Sequence, residues 1–411
     1  MELIRMAWRG IWRTTRRTVI TMLSIGLGLA LVIIFISFGD GVYYQLVDDA
    51  ANMQAGHITI ENPGYRDSPS VDQWVDETDE IKRRAEALPN VKMVKRLIVG
   101  NGVASTGSNS VGIAIMGIEP ALESTVSPIP DNIIKGEYLE DADGEKALIG
   151  SRLARLLDLK PGRKLVLTVN NSSGDMVQVL FRVKGIFETG TDEIDGYLMQ
   201  IPLNSATGLF GLPDNAATQV GVVVDQSTRQ KETFDHTTNE FKELPVAVLT
   251  WQSIMPDLAA YITLDKSSNI IMQGILMFLV LFTIFNTILM SVLERRREFA
   301  VLLAIGTPPG MLKWRVVIES FFIGIIGCAA GLAVGWGFSA WTGVRGLDMS
   351  GFLGSDLDVS GFAVSLIIHP ISTAPTLLWP VLLILASTIV ISAFCVRRVG
   401  GEDIPDILRH N

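Results

Sequence analysis

Cysteine and histidine are scarce in this chain of 411 residues, which argues against a disulfide scaffold and a metal centre. Cys328 and Cys395 are its only cysteines, and both lie in or beside long apolar runs, so the polar part of the chain contains no disulfide. The histidines lack the short spacings of metal ligands, so surface or turn positions are the better interpretation. They are His57, His236, His369 and His410. We expect no bound metal.

The sequence also lacks a phosphate-binding loop of the form G-x-x-x-x-G-K-[ST], so we expect no nucleotide to bind to it in that manner. Ser151, in the phrase IGSRL, lies at a predicted junction of strand and helix, where serine is an ordinary N-cap rather than a nucleophile. We therefore predict a non-catalytic chain with no cofactor of its own.

Apolar residues in long runs are what the chain does contain. Hydrophobic residues make up 48% of it, and the mean hydropathy is +0.36. Runs of roughly 20 apolar residues can cross a bilayer as helix. The predicted spans are residues 19–41, 269–293, 316–336 and 377–396. The net charge of −9 is concentrated in residues 42–268, with 20 Lys and Arg against 32 Asp and Glu, which indicates no nucleic-acid surface.

Basic residues beside the apolar runs predict the orientation of the chain. Residues 1–18 carry arginines at steps of three and four, which predicts an amphipathic helix on the cytoplasmic membrane surface. A cleaved signal peptide is the weaker alternative, because the apolar run exceeds a signal h-region. Further basic residues occupy 294–315 and the tail, 397–411. Both termini are predicted to be cytoplasmic, and residues 42–268 and the loop 337–376 to lie outside.

The region outside the membrane is predicted to be an α+β domain made of two parts. Two β–α–β units, in residues 52–103 and 215–260, form one part, and the β-rich residues 104–214 are inserted between them. The first unit is expected to end at Gly100-Asn101-Gly102. A hairpin is expected from Lys164–Asn170 and Met176–Lys184.

A short helix is predicted between the second and third spans. Arg295–Ala304 lacks glycine and proline, and the helix is expected to stop at Gly306, before Pro308. Phe299–Ile305 is apolar all round, which is unfavourable beside water, so lipid or a protein partner should cover it.

Small residues repeat in the third span. Gly327, Gly331 and Gly335 recur at i+4, giving a face that another helix of this chain or of a second copy can approach closely. Glu319 near the start of this span is expected to snorkel or to pair with Arg315. The spans show no chain of charges for ions and no inverted repeat, which argues against an ion-coupled transporter.

A family resemblance rests on these segments. The phrase VLERRREFAVLLAIG, followed by Glu319 and the glycine-rich third span, resembles the FtsX-like permeases, which include MacB-type permeases and the LolC and LolE lipoprotein-release permeases. The phrases MGIEP, IKGEYL, LIGSRLARLLDLKPG and VKGIFETG are similar to family landmarks and occur in family order. The ending CVRRVGGEDIPDILRHN departs from the family, because it lacks the proline and alanines of the terminal motif.

The resemblance, closest to LolC and LolE, implies a four-span permease (1+3) of the inner membrane with a MacB-like extracytoplasmic domain. Two ABC ATPase copies that bind ATP and magnesium would pair with two permease chains, alike or different. The short helix would be the coupling helix that docks on the ATPase. The residues expected to couple are Arg295, Arg297, Glu298, Val301, Leu302, Ala304, Ile305 and Gly306. The implied function is lipoprotein or lipid release or export, with regulation of a cell-wall hydrolase or MacB-like efflux as alternatives.

The predicted topology can be tested by cysteine labelling in intact cells, on a background in which Cys328 and Cys395 are replaced. An impermeant thiol reagent should modify Ser172→Cys, because the predicted hairpin turn lies outside, and should spare Thr307→Cys on the cytoplasmic side. Lysed cells, in which both cysteines react, provide the control. Labelling of Thr307→Cys but not Ser172→Cys in intact cells would contradict the layout.

Overall fold

The computed structural model describes residues 15–107, 109–349, 358–359, 362–363 and 367–399. Most of the predicted N-terminal amphipathic helix, residues 1–14, and most of the predicted tail, residues 400–411, therefore lie outside the described part of the chain.

Helices lie at both ends of the described part of the chain and alternate with strands in its middle. They are α1 Thr15–Met53, α2 Thr78–Glu86, α3 Pro120–Glu123, α4 Ser151–Leu156, α5 Asp192–Tyr197, α6 Leu203–Phe210, α7 Gln230–Phe241, α8 Trp251–Ile254, α9 Pro256–Glu294, α10 Arg296–Ala304, α11 Pro309–Arg345 and α12 Ala374–Val399. Two 3₁₀ turns, Pro130–Asn132 and Ser227–Arg229, add to these.

Strands fill the region between α1 and α9, with four short ones near α12. They are β1 Ile58–Glu61, β2 Val91–Ser105, β3 Ser110–Ile118, β4 Ile133–Gly136, β5 Lys146–Gly150, β6 Lys164–Asn170, β7 Met176–Phe187, β8 Leu198–Pro202, β9 Gln219–Val224, β10 Ala247–Thr250, β11 Leu347–Asp348, β12 Asp358–Val359, β13 Phe362–Ala363 and β14 Ile367–Ile368.

The chain divides into two compact units. The membrane unit comprises the chain up to Val42, Thr263–Asp348, and the chain from Ile367. The head unit comprises Tyr43–Ile262 and Met349–Leu366. Within the described residues, α1, α9, α11 and α12 are the helices long and apolar enough to cross a membrane. The chain is thus a multi-pass membrane protein with a large α/β domain. At 39 residues each, α1 and α9 are about 58 Å long, which exceeds the ~30 Å hydrocarbon layer.

The strands β1 to β10 join in one sheet of ten strands. Four of them take the order β10-β1-β9-β2, in which every neighbour is antiparallel. This is a split β–α–β arrangement, in which α2 connects β1 to β2 and α7 connects β9 to β10. The remaining strands extend the sheet from β3 to β4, and the hairpin of β6 and β7 is confirmed in register from Lys164–Arg182 to Asn170–Met176.

Strand β2 runs through the point where the sequence predicted its end. Val91–Leu97 pairs with β9, whereas Ile98–Ser105 pairs with β3, so one strand serves both parts of the head. The prediction that the first β–α–β unit ends at Gly100-Asn101-Gly102 is wrong, because these residues lie inside β2 and the two glycines leave space for neighbouring side chains. A Cβ at Gly100 would lie 2.5 Å from the Phe210 ring, and one at Gly102 would lie 2.8 Å from Val169. Glycine inside a strand often marks such close approach.

Ser151 and His57 also differ from expectation. Gly150 is the N-cap of α4, and the Ser151 hydroxyl donates to Oε1 of Glu188 at 2.9 Å instead of capping the helix. His57 is buried, with 2% of its surface exposed, and its Nε2 lies 2.7 Å from Oδ1 of Asp48. An acidic partner allows this polar ring to occupy the interior.

The membrane unit is held together by a core to which all four long helices contribute. The glycines of α11 lie against α1: a Cβ at Gly331 would be 2.5 Å from the carbonyl oxygen of Gly26, and one at Gly327 would be 2.9 Å from Ile25. A Cβ at Gly335 would likewise contact Ile33 and Ala30 of α1. These small residues let the two backbones touch.

The segment between α11 and α12 contains short strands rather than helix in its described residues. Strand β11 pairs with β14, and β12 pairs with β13. Between β13 and β14, residues 364–366 lie outside the described part of the chain.

Gly331→Leu should force α1 and α11 apart, because the added side chain would begin 2.5 Å from a backbone oxygen that cannot rotate away. Overpacking of this kind costs ~1–3 kcal/mol, so the purified protein should unfold at a lower temperature. Gly337→Leu is the matched control on α11, since a Cβ there meets nothing within 4 Å. Equal unfolding temperatures for the two variants would contradict the close contact.

Candidate functional site at the joint of the membrane unit

The short helix α10 lies between the two long helices α9 and α11 and ends in a defined cap. Gly306 has a φ of +98°, a left-handed conformation that suits glycine. The amide of Thr307 donates to the carbonyl of Leu302, and that of Gly306 donates to Leu303, both at 3.0 Å. This pair of bonds forms a Schellman motif, which satisfies carbonyls that the helix end leaves open. Pro308 then serves as the N-cap of α11.

An ion pair ties the start of α10 to α11. The Nη1 atom of Arg295 donates to both carboxylate oxygens of Glu319, at 2.8 and 2.7 Å. Both side chains are mostly buried, with 17% and 9% of their surface exposed. The sequence suggested Arg315 as the partner of Glu319, but Arg295 holds that place. A paired charge in a poorly solvated site is costly to separate, so this contact fixes the joint.

A small cavity of about 30 Å³ with polar and apolar walls adjoins the ion pair and has room for water. Its polar lining comes from all four long helices. The polar lining residues are Thr18, Thr21, Thr287, Ser291, Arg295, Glu319, Ser320 and Thr388. The sequence did not predict that these hydroxyl groups lie together, because single serines and threonines in apolar helices form no recognisable motif.

The opposite side of the joint is open and partly apolar. A shallow cleft of about 470 Å³ is lined by Arg297, Glu298, Val301, Leu302 and Arg315. Val301 is 48% exposed, whereas Leu302 is half-buried. An apolar surface with charges of both signs at its edge is the composition expected of a protein contact.

The residues predicted to couple therefore separate into three groups. Arg297, Glu298, Val301 and Leu302 line the cleft together with Arg315, which was not among the residues expected to couple. Ala304, Ile305 and Gly306 lie exposed at the end of α10, with Ile305 exposed to 78%. Arg295 is the exception, because its guanidinium pairs inside the bundle.

A second structural joint lies within the head, where the end of α1 meets the sheet. Nζ of Lys95 on β2 donates to the backbone carbonyl of Asn52 at 2.6 Å and to the Glu123 carboxylate at 2.8 Å. Burial raises the pKa of Glu123 above its usual value, and the adjacent Lys95 opposes that shift. Gly221 on β9 passes the backbone of Ala55, three residues after Asn52, since a Cβ there would be 2.4 Å from the Ala55 oxygen.

The same end of α1 packs against α8 and α9. Tyr43, Leu46, Val47 and Ala50 of α1 form a buried cluster with Trp251, Met255, Leu258 and Ile262. Burial of large apolar side chains contributes about 1.5–3 kcal/mol each relative to exposure. The two long helices thus hold each other where they are part of the head.

Comparisons with known proteins agree on the kind of chain this is. Residues 18–239 match the MacB-like periplasmic core domain, and residues 270–404 match the FtsX-like permease C-terminal domain. The pyoverdine export ATP-binding/permease protein PvdT of Pseudomonas fluorescens is 25% identical over 81% of this chain and 51% of its own length. The chain thus spans about half the length of that relative.

A second relative is matched over more of its length. The lipoprotein-releasing system transmembrane protein LolC of Neisseria meningitidis is 21% identical over 78% of this chain and 77% of its own length. Among solved structures, the periplasmic region of MacB from Actinobacillus actinomycetemcomitans is 12% identical, with a TM-score of 0.36, over 52% of this chain and 97% of that one. That score is too low to add to the sequence matches.

Removing one member of the ion pair should destabilise the protein more than removing both. Glu319→Met leaves the Arg295 guanidinium mostly buried without its carboxylate, at a cost of roughly 3 kcal/mol. The double variant Arg295→Met, Glu319→Met leaves no unpaired charge and should recover part of the unfolding temperature. Purified single and double variants can be compared by thermal unfolding. Additive losses would show that the two side chains do not interact.

Proposed function

This chain belongs to the FtsX-like permeases that carry a MacB-like periplasmic core domain, and from that premise we propose that it passes ATP-driven movement across the membrane to its head. The partner in this proposal is an ABC ATPase, present in two copies beside two permease chains. The head acts on the outer side of the bacterial inner membrane, and both termini remain in the cytoplasm. The permease itself needs no catalytic residue.

The observation that carries the proposal is the cleft beside α10. Its lining gathers Arg297, Glu298, Val301 and Leu302 on one side and Arg315 on the other, so it offers charge and an apolar surface in one place. A partner segment that fills this cleft would cover Val301, and apolar burial would add to the affinity. Exposure of Ile305 at the helix end extends the same surface.

The Arg295–Glu319 ion pair supports transmission from that cleft. A displacement of α10 is transmitted to α11 through this short contact. Only a short loop joins the two helices, so little of the displacement is lost in the connection. Helix α11 is packed on α1 through Gly327, Gly331 and Gly335. Helices α1 and α9 are both longer than the hydrocarbon layer of a bilayer is thick. We propose that they carry the displacement to the head.

The client in this proposal is a lipid-anchored protein or a lipid. LolC is named as part of a lipoprotein-releasing system, and the match to it extends over 77% of its length. PvdT is named for pyoverdine export, so an exported small molecule is the second candidate. Mass spectrometry of material that copurifies with the intact complex distinguishes an acylated protein from a secreted metabolite.

Leu302→Asp tests the docking step. A carboxylate at this position would replace an apolar contact with a charge that docking must desolvate, at a cost of several kcal/mol, which weakens binding by orders of magnitude. The variant should insert normally and fail to retain the ATPase during purification. ATPase retention and client-dependent growth are the measurements.

Two variants serve as controls for this test. Leu302→Met keeps the volume and the apolar character, so the ATPase should be retained. Gly310→Asp adds the same charge at an exposed position where a Cβ meets nothing within 4 Å, and should also be tolerated. Full retention and normal activity in Leu302→Asp would show that α10 only rests on lipid.

A further inference from the structure

A second concave site lies within the head and is separate from the joint at α10. It is a cavity of about 660 Å³, within the size range of small-molecule sites. Its lining includes five large apolar side chains that are each less than 9% exposed. They are Met53, Val71, Met116, Leu198 and Phe210. The opening includes Tyr197, which is 50% exposed and donates a hydrogen bond to Asn101.

The lining favours a flexible apolar ligand. Met53 and Met116 are unbranched and polarizable, and such side chains adapt to irregular shapes. Gly100 contributes no side chain, and the Phe210 ring lies directly against it. Polar side chains also line the cavity, among them Tyr65, Asn101 and Asn170, so the site suits a ligand that has both an apolar and a polar part.

An ion pair between Arg66 and Glu61 lies at one edge of the cavity, and it leaves one nitrogen of the guanidinium unused. Nε and Nη2 of Arg66 donate to the two carboxylate oxygens of Glu61, at 2.7 and 2.9 Å. The Glu61 side chain is fully buried, and Nε2 of Gln219 also donates to it at 2.9 Å. Among the described residues, Nη1 of Arg66 has no hydrogen-bond acceptor. This atom could bind the polar end of a ligand at the opening.

We propose that this cavity binds the acyl chain of a single-chain amphiphile, with the polar head of that molecule at Nη1 of Arg66. Such a ligand matches the apolar depth, the adaptable methionines and the donor at the edge. The proposal goes beyond the proposed function, because ligand binding here does not require ATPase docking at α10. The Leu302→Asp variant should therefore bind the ligand normally.

The test uses the full chain in polymer-bounded lipid discs, without detergent, and a palmitic acid that carries a photoreactive diazirine. After irradiation, mass spectrometry should find labelled peptides that contain Met53 or Met116, and excess unlabelled palmitate should reduce that labelling at least tenfold. Labelling of the long helices by probe dissolved in the lipid confirms delivery in every sample. Absence of label from the head in such samples would overturn the proposal.

Blocking variants make the assignment specific. Ser70→Trp places a large ring in the cavity from a half-buried loop position, and Asn170→Trp does so from an exposed strand end. Both should lose head labelling, whereas Ser68→Trp, exposed on the same loop and outside the lining, should keep it. Each variant is checked for an unchanged unfolding temperature. Unaltered labelling in both folded blocking variants would place the label elsewhere.

Two further experiments test how many acyl chains the ligand has and how its polar head group is bound. A phospholipid with a diazirine on one acyl chain should not label the head, and labelling by that lipid alone would overturn a single-chain ligand. Arg66→Lys keeps a charge beside Glu61 but removes the forked donor, so palmitate should compete several-fold less well while hexadecanol is unaffected. An equal effect on both competitors would contradict the role of Arg66.

Discussion

One buried ammonium group joins the end of the first membrane helix to the sheet. Lys95 is 2% exposed, and it donates at once to a carbonyl at the end of α1 and to the carboxylate of Glu123. The C-terminal end of a helix carries partial negative charge, so a cation placed there is favourable. Removal of either charged partner would leave the other buried without compensation. Because Lys95 belongs to β2, this contact fixes α1 to the strand that both parts of the head share.

The same kind of contact stabilises both joints. In each, a charged side chain of one segment pairs with an oppositely charged side chain of another, and both are mostly shielded from water. Arg295 and Glu319 do this between α10 and α11. Lys95 and Glu123 do it beside the end of α1. Such contacts are directional and short, which suits elements that must keep their geometry when pushed. The apolar contacts around these ion pairs also stabilise the joints. Because such contacts have no preferred direction, they resist the sliding of one element along another less than an ion pair does.

The sequence was informative wherever a pattern was local. Apolar runs predicted the four long helices, and the lack of glycine and proline in Arg295–Ala304 predicted α10 to within one residue. The two β–α–β units were found by their periodicity for the same reason. What failed depended on distant neighbours: Gly100 resembled a turn because nothing local reveals the Phe210 ring, and Glu319 was matched to the nearer Arg315 rather than Arg295. The cavity was not foreseen, since its lining comes from many separate segments.

The shared strand β2 has a consequence for how the chain reaches this structure. Its first half pairs with β9, which follows more than a hundred residues later, as the hydrogen bond from Thr218 to Leu97 illustrates. During synthesis β1 and β2 are made long before β9 and β10, so their edges stay unpaired while the inserted strands emerge. Pairing at such separation is slow and leaves apolar strands open to aggregation. The inserted strands β3 to β8 are all made before β9, so they can pair with the second half of β2 first and hold its first half in place as a template for the late strands.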